Sequence, residues 1–217
     1  MHLIPLILVL TLVQLLLVAP SNLRGMQIPN LEAQASSRFG SLAVQTVLRW
    51  ETMIGTFANA DTQKKLVAVN DFFNQNITYR WETEDYWSTP LETMGRGIGD
   101  CEDYAIAKYA TLTLMGVPPS SLRLVYVKAK RGGLNQAHMV LAWYKSPTAV
   151  PLILDNLDYV IRPATERGDL QPVFSFNGEQ LWVGTGPRAT NQRPTARLSR
   201  WGQVVEKIRQ EGFTTGF

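Results

Sequence analysis

Cysteine is nearly absent from this 217-residue chain, which contains only Cys101. A single cysteine excludes an intrachain disulfide, so stability has to come from a buried core. An unpaired thiol is unusual in an exported protein, because oxidising compartments pair or oxidise such groups. The lone cysteine is therefore a candidate reactive residue.

Strong charge of either sign is also absent, since 21 basic and 18 acidic side chains leave a formal net charge of +3. One mild basic cluster lies near the end of the chain, comprising Arg188, Arg193, Arg197 and Arg200. No aromatic-flanked basic motif accompanies it, so the composition does not favour nucleic-acid binding. With 45% hydrophobic residues and no internal repeat, the chain is predicted to form one globular domain with extensions.

The N-terminal region contains a long uncharged run. Leu3–Ala19 carries no charged side chain and is about as long as the shortest segments that span a bilayer. It predicts a secretory signal peptide, with an uncleaved N-terminal anchor as the alternative, and both place the rest of the chain outside the cytoplasm. We divide the sequence into an export segment (1–19), a linker rich in Pro, Ser and Asn (20–37) and a folded domain (38–217).

Helical patterns dominate the first half of the folded domain. Apolar residues at spacings of about three to five predict a helix near residues 39–54, and a second helix is expected over residues 61–76. Residues 82–99 are expected to form a loop. The clearest helix begins after Asp100, a favourable N-cap, and ends before Gly116; it is apolar nearly all round and should be buried.

The second half of the domain is predicted to form strands. Short runs rich in Val, Leu, Ile and aromatic residues alternate with turn-forming segments. The strands are expected near residues 122–129, 137–144 and 151–156, and at "PVFSFN" and "EQLWVG". A last amphipathic helix is expected near residues 200–211. Helices followed by an antiparallel sheet indicate an α+β fold, with the helix that follows Asp100 packed on the sheet.

Three residues form a candidate nucleophilic site. The chain contains only two histidines, and because His2 belongs to the export segment, only His138 is available to activate Cys101. Asp155 ends the next predicted strand, where it could face His138 across an antiparallel pair and orient the imidazole. Taken singly, each residue has a structural explanation: a small buried hydrophobe, a satisfied strand histidine and a turn-forming aspartate.

Three carboxylates surround the candidate nucleophile. Asp100, Glu102 and Asp103 raise the thiol pKa through like charge, whereas a helix N-terminus lowers it. From residue types alone, these acids are also explained as an N-cap and first-turn residues that the helix dipole favours.

The segments "GDCEDYAIAKYATLTLMGVP", "QAHMVLAW" and "LILDN", in this order, resemble the catalytic blocks of bacterial transglutaminase-like cysteine proteinases. The similarity is greatest to the LapG-type periplasmic adhesin proteases and extends from about Phe39 onward. It implies a papain/transglutaminase-like fold with Cys101 as nucleophile, His138 as base and Asp155 as the orienting group.

The same resemblance implies a substrate, a metal and a regulator. LapG-type enzymes cut a large surface adhesin near its N-terminus, at a paired-alanine site, which releases the adhesin and disperses biofilm. They require calcium, and the ligands carried over to this sequence are Asp100, Glu102 and Asp103. Bound Ca²⁺ would offset the repulsion around the thiol and stabilise the start of the helix. An inner-membrane receptor that senses cyclic diguanylate is the implied inhibitory partner.

Two other functions are compatible with the same fold. In an acyltransferase or amidase, an amine rather than water would resolve the thioester, and the Cys–His–Asp set does not distinguish these reactions. The third hypothesis is a non-catalytic module that binds a partner, against which the intact Cys–His–Asp set argues.

Overall fold

The structure is a computed structural model that describes residues 28, 30–81, 83–214 and 216–217. The predicted export segment, residues 1–19, lies outside the described residues. In the part of the chain that is described, no helix has both the length and the apolar character needed to cross a membrane.

The helices precede and follow the main sheet along the chain. Their bounds are α1 (Leu31–Phe39), α2 (Ser41–Phe57), α3 (Thr62–Asn76), α4 (Pro90–Arg96), α5 (Cys101–Leu114), α6 (Pro194–Arg197) and α7 (Ser199–Gln210). Asp61 caps α3 by accepting a hydrogen bond from the Lys64 backbone N–H, as the sequence predicts.

Six strands form an antiparallel sheet in the order β6-β5-β4-β3-β7-β8. Their bounds are β3 (Leu122–Arg131), β4 (Leu134–Trp143), β5 (Leu152–Leu154), β6 (Arg162–Pro163), β7 (Leu170–Phe176) and β8 (Leu181–Val183). A separate parallel pair, β1 (Thr78–Tyr79) and β2 (Ile98–Gly99), leads into α5. The α+β fold predicted from the sequence is confirmed.

Helix α5 lies at the centre of the molecule and packs against α3, α4 and the central strands β3 and β4. Nearly all of its residues are buried, as expected from its apolar composition. Gly116 follows its end with φ +81°, a left-handed conformation that glycine adopts without steric cost. The first residue of a fully buried helix is thereby held at a defined position beside the sheet.

The segment predicted to be a linker contains helix α1, which begins at Leu31. Leu31 is buried, and the Arg38 guanidinium bonds Glu211 Oε1 at 2.6 Å and Glu92 Oε1 at 3.3 Å. These partners lie far along the chain, so the stabilisation of α1 is tertiary and leaves no local sequence pattern.

Helix α4 lies within residues 82–99, which were expected to form a loop. Thr89 caps it by accepting from the Glu92 N–H at 3.0 Å, while Glu92 accepts from the Thr89 N–H at 2.9 Å. This capping box, together with Pro90 at the first helical position, is readable in the sequence as "TPLE". The loop prediction was therefore wrong at a position where a local signal existed.

Helices α2 and α5 are joined by a buried hydrogen bond from Trp50 Nε1 to Thr111 Oγ1 at 2.9 Å. We expect Thr111→Val, which keeps the shape but removes the acceptor, to lower the free energy of unfolding by about 1–3 kcal/mol. Thr52→Val on the exposed face of α2 is the matched control and should change it by less than about 0.5 kcal/mol. Denaturant unfolding measures both; equal effects would contradict the prediction.

Candidate active site

Cys101 and His138 line the same cavity, which has a volume of about 670 Å³. Cys101 is the first residue of α5, and His138 lies within β4, so a buried helix and a central strand position them. The walls of the cavity combine aromatic and apolar side chains with charged ones, among them Asp85, Arg197 and Arg200. The aromatic and apolar side chains include Trp81, Trp87, Tyr126, Met139 and Phe174.

His138 and Asp155 are in direct contact: His138 Nε2 lies 2.8 Å from Asp155 Oδ1, and both residues are buried. They are not paired across the strands, because the β4–β5 ladder ends at Leu141 and Leu154. The expectation of a cross-strand neighbour was therefore wrong in register, although the two side chains meet. Asp155 reaches the imidazole from the loop that follows β5.

The Asp155 carboxylate accepts hydrogen bonds on both oxygens. Oδ1 also accepts from the Leu157 backbone N–H at 3.0 Å, and Oδ2 accepts from Arg167 Nη2 at 2.8 Å. Burial by itself raises the pKa of Asp155, but the donors, above all His138, outweigh it and hold this pKa below its usual range. Asp155 is therefore ionised at neutral pH.

The Asp155 backbone is held by α5 and α3. Its carbonyl oxygen accepts from Lys108 Nζ at 3.1 Å and from Asn74 Nδ2 at 2.9 Å. Lys108 also donates to the side-chain carbonyls of Asn70 and Asn74, so its three N–H groups have three acceptors. Burial lowers the pKa of Lys108 to about 7.

Sequence reasoning missed this polar cluster, although it left two signals. Lys108 interrupts an otherwise apolar helix about two turns from Cys101, and Asn70 and Asn74 share one face of α3. Arg167 left no signal, since it lies in a turn segment with no recognisable motif. A buried ammonium group requires hydrogen-bond acceptors, and the sequence alone does not show which residues supply them.

The Cys101 thiol is held in its protonated form. Burial raises its pKa, and so do the Glu102 and Asp100 carboxylates, whereas the Met139 backbone N–H lowers it. The thiol donates to Glu102 Oε2 at 3.0 Å. Burial is the largest cause of the raised pKa, and the acids act in the same direction, as the sequence predicts.

The three predicted metal ligands lie in two environments. Asp100 and Glu102 line the cavity, whereas Asp103 is fully buried and accepts from the backbone N–H groups of Ser88 at 2.7 Å and Asp100 at 3.3 Å. Burial raises the pKa of Asp103 to about 7. Asp103 therefore acts as the helix-start residue that the alternative interpretation expected. Across residues 30–81 and 83–214, no group of three His, Cys, Asp or Glu side chains is arranged to hold a metal.

Residues 48–169, which include Cys101, His138 and Asp155, match the bacterial transglutaminase-like cysteine proteinase family. The match covers more than half of the chain, and the chain belongs to this family. This match confirms the family resemblance found in the sequence and the predicted transglutaminase-like fold. The protein is thus a member of a cysteine proteinase family.

Solved structures of Legionella pneumophila LapG are similar to this chain, with 35% sequence identity over 84% of it. One structure has a TM-score of 0.74 with 97% of its own chain covered. The EGTA-treated and calcium-bound structures each have a TM-score of 0.75, with 97% and 99% of their chains covered. No sequence among curated proteins matches significantly.

Gly99 allows the close approach between the segment before Cys101 and the first turn of α5. A Cβ at this position would lie 2.9 Å from Asp103 Cβ and 3.0 Å from Asp103 Oδ2. We expect Gly99→Ala to displace the buried Asp103 and to lower the free energy of unfolding by about 1–3 kcal/mol.

Gly55→Ala in α2 is the matched control, because a Cβ there meets no atom within 4 Å. It should stabilise the protein by about 0.5–1 kcal/mol, since alanine is the better helix former. Equilibrium unfolding in denaturant gives both values. Changes of the same sign would show that the contact with Asp103 does not constrain residue 99.

Proposed function

We propose that this protein is a calcium-dependent periplasmic cysteine endopeptidase that cleaves a large surface adhesin near its N-terminus and so promotes biofilm dispersal. The observation that carries the catalytic part is the arrangement of three side chains. Cys101 and His138 share one cavity, and the other side of the imidazole bonds the ionised Asp155. This arrangement supports Cys101 as the nucleophile, His138 as the base and Asp155 as the orienting group.

The hydrogen bond to Asp155 determines which imidazole nitrogen acts as base. Because the carboxylate can only accept, Nε2 carries the proton and Nδ1 keeps its lone pair. Nδ1 then takes the proton from Cys101, and the thiolate attacks the scissile carbonyl carbon. The imidazolium returns the proton to the leaving amine, and water activated by the same nitrogen hydrolyses the thioester.

The start of α5 can stabilise the charge that develops during attack. Residues in the first turn of a helix have N–H groups without intrahelical acceptors, and these groups favour an anion. Because Cys101 is the first residue of α5, the oxyanion would form beside these donors. One structural element thereby supplies the nucleophile and the groups that stabilise the intermediate.

The calcium part of the proposal is supported by donor chemistry and by a relative. Asp100 and Glu102 offer hard carboxylate oxygens at the cavity, the ligand type that Ca²⁺ prefers, and LapG has a calcium-bound structure. Asp103 completes the proposed ligand set, because each of its oxygens accepts one backbone hydrogen bond and keeps a second lone pair. When bound, the ion would supply positive charge that offsets the carboxylates raising the thiol pKa.

Substrate, location and regulation rest on the resemblance to LapG-type enzymes. The cavity offers both apolar and charged side chains to a peptide, and the paired-alanine cleavage site comes from the resemblance alone. The uncharged run at residues 3–19 supports export to the periplasm. An inner-membrane receptor sensing cyclic diguanylate is the proposed inhibitory partner.

We expect Cys101→Ala to abolish cleavage of adhesin fragments and to leave the melting temperature nearly unchanged, since a small buried side chain replaces another. Mass spectrometry of the products separates the reactions: a new peptide terminus indicates proteolysis, and an added amine mass indicates acyl transfer. Cys101→Ser tests whether a nucleophile of similar size but lower reactivity suffices. Undiminished proteolysis by Cys101→Ala would refute the mechanism.

Removal of calcium should lower both activity and stability. A ligand present at about 100 times its Kd stabilises the folded state by about 2.7 kcal/mol, so EGTA should lower Tm by about 5–10 °C. Glu102→Gln should abolish most of this chelator response, whereas Glu179→Gln, an exposed acid elsewhere, should retain it. If EGTA changes neither Tm nor cleavage in the unmodified protein, the calcium requirement is wrong.

A further inference from the structure

Arg167 is a buried guanidinium on the side of Asp155 that faces away from His138. Its side chain is 6% exposed, and Nη2 donates to Asp155 Oδ2 at 2.8 Å while His138 bonds Oδ1 at the same distance. His138 and Arg167 therefore each form a hydrogen bond with a different oxygen of the Asp155 carboxylate. A buried aspartate loses favourable solvation when it is charged, and an adjacent guanidinium offsets that loss.

We propose that Arg167 is a positioning residue of the active site, which acts through Asp155 by holding its carboxylate directed at His138. This inference rests on the roles of His138 and Asp155 in the proposed function. It can be tested separately from that function, because the hydrogen bond between the carboxylate and the imidazole can be observed without substrate.

Arg167 is itself held from a second side. Asp169 accepts from Arg167 Nε at 2.9 Å and from Nη2 at 2.8 Å, which uses the planar fork of the guanidinium. The Asp169 carbonyl accepts from the Lys130 N–H at 2.8 Å and so attaches this turn to β3. Since β3 pairs with β4, the strand that carries His138, the guanidinium has little freedom to follow Asp155 if the carboxylate moves.

The fork also distinguishes arginine from lysine at this position. Nη2 bonds both carboxylates, and Nε adds a further bond to Asp169. An ammonium is a compact charge without this planar geometry, so Arg167→Lys would keep the charge but not the full set of bonds. A purely structural ion pair would affect stability without changing the imidazole–carboxylate bond.

The test compares Arg167→Met with Arg162→Met in the full chain. Arg162 lines the same polar cavity as Arg167, but its Nε bonds Asp158 Oδ2 at 2.8 Å, which makes it a matched control outside the catalytic groups. In a His2→Gln background, His138 is the only histidine of the chain. Its Nε2–H proton can then be followed by NMR with ¹⁵N-labelled histidine, alongside kcat and KM for cleavage.

In Arg167→Met, we expect the Nε2–H signal to move upfield or to be lost through faster exchange with water. We also expect kcat to fall about 10- to 100-fold with little change in KM, the range measured when partners that orient a functional histidine are removed from metal sites. Arg162→Met should leave the signal and kcat unchanged, and Arg167→Lys should give intermediate values.

An unchanged signal and kcat in folded Arg167→Met, or equal losses in Arg162→Met, would overturn the proposal. If Arg167→Met does not fold, Arg167→Lys decides, because values identical to those of the unmodified protein would show that the fork is not needed. The proposed function fails separately, if Cys101→Ala still cleaves substrate. In that case the NMR comparison still determines whether Arg167 controls the bond between Asp155 and His138.

Discussion

A charged carboxylate at Asp155, buried where the helical layer meets the sheet, is the constraint on which the rest of the site depends. Burial alone would neutralise it, and it stays ionised because donors from several segments surround it. Its carboxylate accepts hydrogen bonds from His138 and Arg167, and its backbone carbonyl accepts hydrogen bonds from Lys108 and Asn74. The loop that follows β5 thereby connects β4, α5 and α3 through one residue.

The two ends of the candidate site have opposite electrostatics. Asp155 is held charged by donors, whereas Cys101 is held neutral by burial and by its acidic neighbours. Burial raises the pKa of both groups. The pKa of Asp155 is nevertheless low because its neighbours are hydrogen-bond donors, whereas the neighbours of Cys101 are negatively charged. In the proposed mechanism, Asp155 is already in place to orient His138, whereas Cys101 needs the negative charge of Asp100 and Glu102 to be offset.

Much of the fold was predictable because the corresponding signals are local. The cap at Asp61, the cap at Asp100 and the end of α5 at Gly116 are short patterns, and the apolar composition of α5 predicted its burial. The order of Cys101, His138 and Asp155, with the family resemblance, predicted that these three side chains belong to one site. Helix α1 and the register beyond Leu154 were not predictable, since distant contacts determine them.

The sequence by itself determined the chemistry available: one thiol, one imidazole outside the uncharged N-terminal run, and a group of carboxylates beside the thiol. Only the tertiary structure decided how these groups are used. It buried Asp103 against backbone donors and left Asp100 and Glu102 at the cavity, and it selected Arg167 as the second partner of Asp155. The physical reason is that a buried charge needs partners, and folding brings these together from segments that are distant in the chain.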